Sequence, residues 1–273
     1  ASRPCGKVLP AGQHLQRFHI LSLIFRPKYA TIYDAGKRRN DIGNIRKGKE
    51  IEEMKVAVMG DVHANLAALE AVLRDARERG AERFWCAGDV VGYGTDPNAC
   101  CQLVRSLPGV AVLGNHDRAC SRRDSLEGFN GLARASALWT RKRLAPANRD
   151  WLRGLPPVAE PMEGVQVVHG SLDRPGEWNY LFPDVDPTAH FARQTGRICF
   201  VGHTHVPVVF AQLRGCVYVS EPEPFCVDPE GEMRVTVNVG SVGQPRDGDR
   251  RPSYVLYDSE TGEIDPRRVP FVT

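Results

Sequence analysis

From position 55 the chain alternates short apolar runs with stretches whose apolar residues recur every three or four positions. Residues 55–59 (KVAVM) are too short for a helix and valine-rich, which predicts a strand. In 65–79 (NLAALEAVLRDARER) positions 66, 69, 72 and 73 share one helical face, with Asn65 placed to cap the start and Gly80 to stop the end. A strand at 83–87, a helix at 97–106 opened by Pro97, and a strand at 110–113 follow. This βαβαβ opening implies parallel strands joined by right-handed crossovers. Residues 128–155 read as helical and end at Pro156-Pro157. Beyond them the chain is strand-rich, at 165–168, 198–201, 208–211, 217–219, 234–238, 253–257 and 268–272, with one helix at 187–194. An α/β half is therefore followed by a mostly β half, and two sheets packed face to face with helices outside would bury both.

Composition separates the first 53 residues from the rest. They hold 11 Lys+Arg against 5 Asp+Glu, whereas the remaining 220 residues hold 25 against 28. The basic excess lies in the leading segment, so the main body makes no electrostatic case for a nucleic-acid polymer as partner. Met54 followed at once by a strand resembles a natural start, and residues 1–53 read as a disordered or upstream extension of a domain at 54–273. The longest apolar run, residues 18–25 (FHILSLIF), is too short to span a bilayer, so no membrane partner is expected. Eight cysteines form no C-x-x-C pair, and several sit inside apolar runs. Buried reduced thiols and a cytoplasmic setting fit that usage.

The polar residues with chemistry fall at strand ends. Asp61 and His63 follow the first strand, Asp89 the second, and Asn115, His116 and Asp117 the third; His169 follows the strand at 165–168, and His203 and His205 that at 198–201. Ligands of open α/β sheets bind beyond the carboxyl ends of the strands, which would bring these five loops to one crevice. Each loop taken singly is also how a turn or a cap is made. Together they supply carboxylate, imidazole and amide oxygen but no thiolate, a set suited to two divalent ions of the Mn, Fe or Zn type.

The series Asp61-x-His63, Gly88-Asp89, Gly114-Asn115-His116-Asp117, His169 and Gly202-His203-Thr204-His205 resembles the calcineurin-like metallophosphoesterase superfamily, in its small bacterial and archaeal form, over residues 56–258. The resemblance implies a four-layer αββα double β-sandwich with a dinuclear metal site at the carboxyl ends of the strands. It implies that Asp61, His63 and His205 hold one ion, that Asn115, His169 and His203 hold the other, and that Asp89 bridges them. Two ions about 3.5–4 Å apart clamp phosphate oxygens and activate water for attack on phosphorus. His116 is then left as proton donor to the leaving oxygen or as a stabiliser of the equatorial oxygens, with Asp117 orienting its ring.

The chain departs from protein phosphatases of the superfamily and from symmetrical dinucleoside tetraphosphatases, which usually carry an arginine shortly after Gly-Asp. Here the loop is Gly88-Asp89-Val90-Val91-Gly92-Tyr93-Gly94. Phosphate recognition is expected to pass to Arg246, in a glycine-rich stretch at 238–247 whose backbone amides could also approach phosphate. Ala64 stands where relatives often have glycine. Tyr93, Trp178, Asn179 and Tyr180 are candidate substrate contacts, with rim packing as the alternative. The expected activity is hydrolysis of phosphoester or phosphoanhydride bonds in small molecules such as nucleotides or dinucleoside polyphosphates. A phosphoprotein phosphatase and an inactive metal-binding scaffold are the competing readings.

Overall fold

The computed structural model describes residues 54–122, 124–228 and 231–270. The expected 1–53 extension lies outside the described residues. The first half runs β1 (Lys55–Met59), α1 (Leu66–Glu78), β2 (Arg83–Cys86), α2 (Pro97–Ser106), β3 (Gly109–Ala111), α3 (Asn115–Ser121), α4 (Gly131–Arg143) and α5 (Pro146–Arg153). The second half adds β4 (Val158–Met162), β5 (Val165–Val168), α6 (Thr188–Arg193), β6 (Ile198–Val201), β7 (Val208–Leu213), β8 (Cys216–Ser220), β9 (Phe225–Cys226), β10 (Arg234–Asn238), β11 (Ser253–Asp258) and β12 (Glu263–Arg268). Helix α1 is capped as its sequence indicates: the Asn65 side chain accepts the Ala68 N–H at 3.1 Å, and Gly80 follows with φ +85°.

Among the described residues these strands form two six-stranded sheets, ordered β3-β2-β1-β11-β12-β9 and β4-β5-β6-β10-β7-β8. Strands β1, β2 and β3 are mutually parallel, as are β5, β6 and β10. The parallel strands β1, β2, β5, β6 and β10 are buried on both faces, and side-chain alternation divides their residues between two cores. Val56 and Val58 of β1, Trp85 of β2, and Ile198 and Phe200 of β6 fill the space between the sheets. Ala57 and Met59 turn outward to α1, α2 and α5, while Cys199 and Val201 turn outward to Phe191 of α6. The layers are therefore helix, sheet, sheet, helix, with the second helical layer carried by α6 of six residues.

Two proline-containing strands differ from the sequence pattern for one reason. Among the described residues the last strand is β12 at Glu263–Arg268, where the pattern placed one at 268–272, and β4 at Val158–Met162 has no counterpart among the expected strands. Gly262 accepts the Val227 N–H, so residues 264 and 266 also face β9, which pairs only with Glu263 and Ile264. Pro266 thus points its missing N–H past the end of β9, where no ladder bond is lost. Pro161 lies on an edge strand, within the irregularity between Ala159 and Met162. Tertiary position makes both prolines tolerable, which no local pattern shows.

Candidate dinuclear metal centre

Each parallel triplet sends its loops to the same end of the sandwich. The Asp61 N–H donates to the Gly88 carbonyl (3.0 Å) and the Gly202 N–H to the His169 carbonyl (2.9 Å). The His203 N–H then crosses between the sheets to Asp61 Oδ2 (2.9 Å). Asn115, His116 and Asp117 open helix α3 rather than lying in a loop. Asp61, His63, Ala64, Asp89, His203 and His205 all have φ between 47° and 69°, the left-handed region that side chains with a Cβ resist. Such conformations persist where surrounding bonds hold them, and they cluster at functional centres. Glycine matters at two positions here. A Cβ on Gly202 would lie 2.5 Å from Asp61 Oδ2, and one on Gly114 would overlap Asp89 Oδ1.

Two groups of side chains converge: Asp61, His63 and His205, and Asp89, His169 and His203, all buried. Asn115 joins the second group, its Oδ1 lying 3.0 Å from His169 Nε2. Asp89 stands between the groups, with Oδ2 3.7 Å from His63 Nε2 and 3.3 Å from His169 Nε2. Its Oδ1 accepts the His116 N–H at 2.8 Å, so one carboxylate oxygen, not two, faces both groups.

The hydrogen bonds around the rings show what these groups want. His63, His169 and His205 each direct Nδ1 at a main-chain carbonyl, of Val91 (3.1 Å), Ala87 (2.8 Å) and Gln244 (2.6 Å). A carbonyl only accepts, so Nδ1 carries the proton and Nε2 presents a lone pair inward. The Nε2 atoms of His63 and His205 then face each other at 3.0 Å, and Asp61 Oδ1, 3.1 Å from His205 Nε2, is buried without a hydrogen-bond donor. Acceptors crowded in this way fit a cation. Without an ion the same negative charge draws a proton onto His169 instead: burial opposes charge on this imidazole, but Asp89 outweighs it and pushes it up to about 9. Burial also opposes charge on Asp61, yet His205, His169 and His63 hold its carboxyl down at about 2.

His116 is 5% exposed and boxed by the rings of Tyr93 (4.6 Å), His63 (5.0 Å) and Phe129 (5.0 Å). Its Nδ1 has no hydrogen-bond partner, and burial is the main cause holding the imidazole below its ordinary value. The expected orientation of this ring by Asp117 is not what the structure contains. Asp117 accepts N–H bonds from Val91 (3.1 Å) and Gly114 (3.2 Å), and helical neighbours do not face each other. Burial, reinforced by Asp89, pushes its carboxyl up to about 7. Asp117 ties the loop carrying Asp89 to the start of α3.

The stretch after β10 also differs from expectation. The Val242 and Gly243 N–H groups donate to the carbonyls of Gly60 and Asp61, so these two amides brace the Asp61 loop instead of meeting phosphate. Ser241 Oγ donates to the Asp61 carbonyl (2.8 Å), and Asn238 Nδ2 donates to the Gly202 carbonyl (2.7 Å). Arg246 is exposed, with its guanidinium 5.8 Å from the Tyr93 ring centre and Nη2 3.5 Å from the Tyr93 hydroxyl. Asn179 uses its amide to close its own loop on the Asp173 carbonyl (3.3 Å). Tyr180 stacks on His203 at 4.0 Å between ring centres and 15° between planes.

Sequence reasoning missed His190, which is 1% exposed behind the second sheet. Its Nδ1 accepts the Leu172 N–H (3.0 Å) and its Nε2 meets Thr236 Oγ1 (2.9 Å), pinning the segment that follows His169. A lone histidine on a short helix carries no signal of that role.

An αββα sandwich with two carboxylate-imidazole groups at the joined ends of its sheets defines a metal-dependent phosphoesterase. Residues 54–262 match the calcineurin-like phosphoesterase superfamily domain, and the chain belongs to that superfamily. It is similar to an uncharacterised protein of Methanocaldococcus jannaschii, at 37% identity over 226 residues that cover 79% of this chain and 87% of the relative. It is also similar to a metallophosphoesterase from Sphaerobacter thermophilus of known crystal structure, at 37% identity and TM-score 0.68, covering 81% of this chain and 89% of that one. A hypothetical protein from Pyrococcus horikoshii OT3 shares the fold at 20% identity and TM-score 0.62, covering 80% of this chain and 89% of that one. Among the described residues no helix is long and apolar enough to cross a membrane.

Proposed function

We propose that this protein hydrolyses phosphoester or phosphoanhydride bonds in small molecules, nucleotides and dinucleoside polyphosphates among them, with two divalent ions of the Mn, Fe or Zn type. The observation that carries the reading is the convergence of inward lone pairs from His63, His169 and His205 beside the donorless Asp61 Oδ1. Asp61, His63 and His205 would hold one ion and Asn115, His169 and His203 the other, with Asp89 shared between the two groups. When bound, the ions would supply positive charge to the phosphoryl oxygens and acidify water to near neutral pH.

The chain's own residues do the rest. His116 serves the leaving oxygen from within its box of rings, a position next to both Asp89 and the first ligand group. Arg246 meets the remaining phosphate charge, with Tyr93 beneath it, in place of the arginine missing after Gly88-Asp89. Five buried cysteines, Cys86, Cys100, Cys101, Cys120 and Cys199, support a reducing, cytoplasmic setting. Bis-p-nitrophenyl phosphate, p-nitrophenyl phosphate and diadenosine tetraphosphate, each with Mn, Fe(II) or Zn, test the reading. Metal-dependent release of phosphate or nitrophenol from at least one supports it, and inertness toward all three under every metal overturns it.

A further inference from the structure

Three of the four imidazoles at the centre are held from behind by a main-chain carbonyl on the nitrogen that faces away from the ligand groups. His203 is not. Its Nδ1 is the inward atom, 3.1 Å from His169 Nε2, and among the described residues no hydrogen bond reaches its Nε2. The backbone of His203 is fixed by its N–H bond to Asp61, but that bond leaves the plane of the ring free to turn. What covers the ring is Tyr180, nearly parallel to it and itself stacked on Phe182 at 5.3 Å and 18°.

Tyr180 is brought there by a built loop. After His169 the chain swings out and returns, closed by the Ser171 N–H to the Asn179 carbonyl (3.1 Å) and by the Asn179 amide to Asp173. Gly170 permits the close return, since a Cβ there would lie 3.1–3.2 Å from the backbone of Trp178 and Asn179. Trp178 holds a left-handed φ of 51° and takes the Arg118 guanidinium 5.5 Å from its ring centre, while the next residue after Tyr180, Leu181, is 4% exposed in the outer core. Tyr180 is held on both sides, although it is 46% exposed itself.

We propose that Tyr180 is the positioning residue of His203, its ring fixing the imidazole plane so that Nδ1 stays aimed at the second ligand group. The stack takes the part that carbonyls play for the other three histidines, and His203 is the one ligand ring that Tyr180 touches. Hydrogen-bonded partners that orient ligand side chains change metal affinity by about 10–100-fold when removed, and the stack on His203 is expected to act on that scale. The proposal rests on the two-ion reading above, and it predicts a loss confined to one of the two ions.

Calorimetric titration of Mn2+ into the chelator-stripped full chain, together with the ring-proton shifts of His203 in the metal-free protein, tests it. The unaltered chain and Tyr180→Phe should bind two ions alike and show His203 ring protons moved upfield by the stack. Tyr180→Ala should keep one binding event, weaken the other by about tenfold or more, and lose the upfield shift. Two undiminished events in Tyr180→Ala overturn the proposal, as does a loss in Tyr180→Phe as large as in Tyr180→Ala, which would assign the effect to the hydroxyl. A single event in the unaltered chain would remove the two-ion reading instead, and the ring-proton shifts would still decide whether Tyr180 orients His203.

Discussion

His190 should make this protein acid-sensitive by an amount that can be worked out. Its imidazole is 1% exposed, and burial, helped by the Arg234 guanidinium and opposed by Gln194, holds it down at about 4 against an ordinary 6.5. The hydrogen bonds explain why a second proton is unwelcome. Nδ1 already faces the Leu172 N–H, so protonation would set two donors against each other 3.0 Å apart. Between pH 6.5 and 4 the unfolded chain binds this proton and the folded one does not, so stability falls as pH falls through that window. Moving from pH 7.5 to 5.0 should remove about 2 kcal/mol through this one residue, at 1.36 kcal/mol for each pH unit between the two titrations. Urea unfolding of the metal-free protein at both pH values measures it, with His190→Asn as the reference. Asparagine can still accept the Leu172 N–H but does not titrate. Its stability should be lower at neutral pH, yet its loss on acidification should be smaller than that of the unaltered chain by about 2 kcal/mol, since the site histidines titrate in both and cancel. Equal losses in the two proteins would refute the argument that a buried neutral His190 underlies the sensitivity.

Other consequences concern the site directly. Asp89→Ala should abolish metal loading and hydrolysis together, read by elemental analysis beside an activity assay; a variant that keeps two ions would contradict the bridging role. His116→Ala should leave metal content unchanged while slowing esters of poor leaving groups by about 100-fold or more, with a smaller effect on nitrophenyl esters. Equal losses for both classes would argue against service to the leaving oxygen. Gly114→Ala places a methyl group against Asp89 in a packed interior, and should lower stability by about 1–3 kcal/mol and weaken metal binding. Unchanged metal affinity in that variant would mean that Asp89 can move aside without consequence.

Much of this site is legible in the chain itself because the signals are local. A short valine-rich run followed by Asp-x-His, or Gly-Asn-His-Asp after a strand, places ligand-type side chains at strand ends whatever the rest of the molecule does. The capping of α1 by Asn65 and its termination before Gly80 are likewise decided within one or two turns. Ala64 shows the limit of such reading. Nothing beside it in sequence demands a left-handed φ of 53°, which follows from bonds to Val90 and from its carbonyl to Asp96.

What only the tertiary structure decided are the relations between distant segments. The sequence determined which side chains could bind metal and in what order they arrive. It did not reveal that Asp117 braces two loops rather than a ring, that residues 242–243 support Asp61 from behind, or that Tyr180 lies on His203. Nor could it make Pro266 acceptable in a strand, which depends on β9 ending before it. The physical reason is the same in each case. Backbone periodicity and turn chemistry act over a few residues, whereas the partner of a buried donor or ring is chosen by how the two sheets and their crossovers meet.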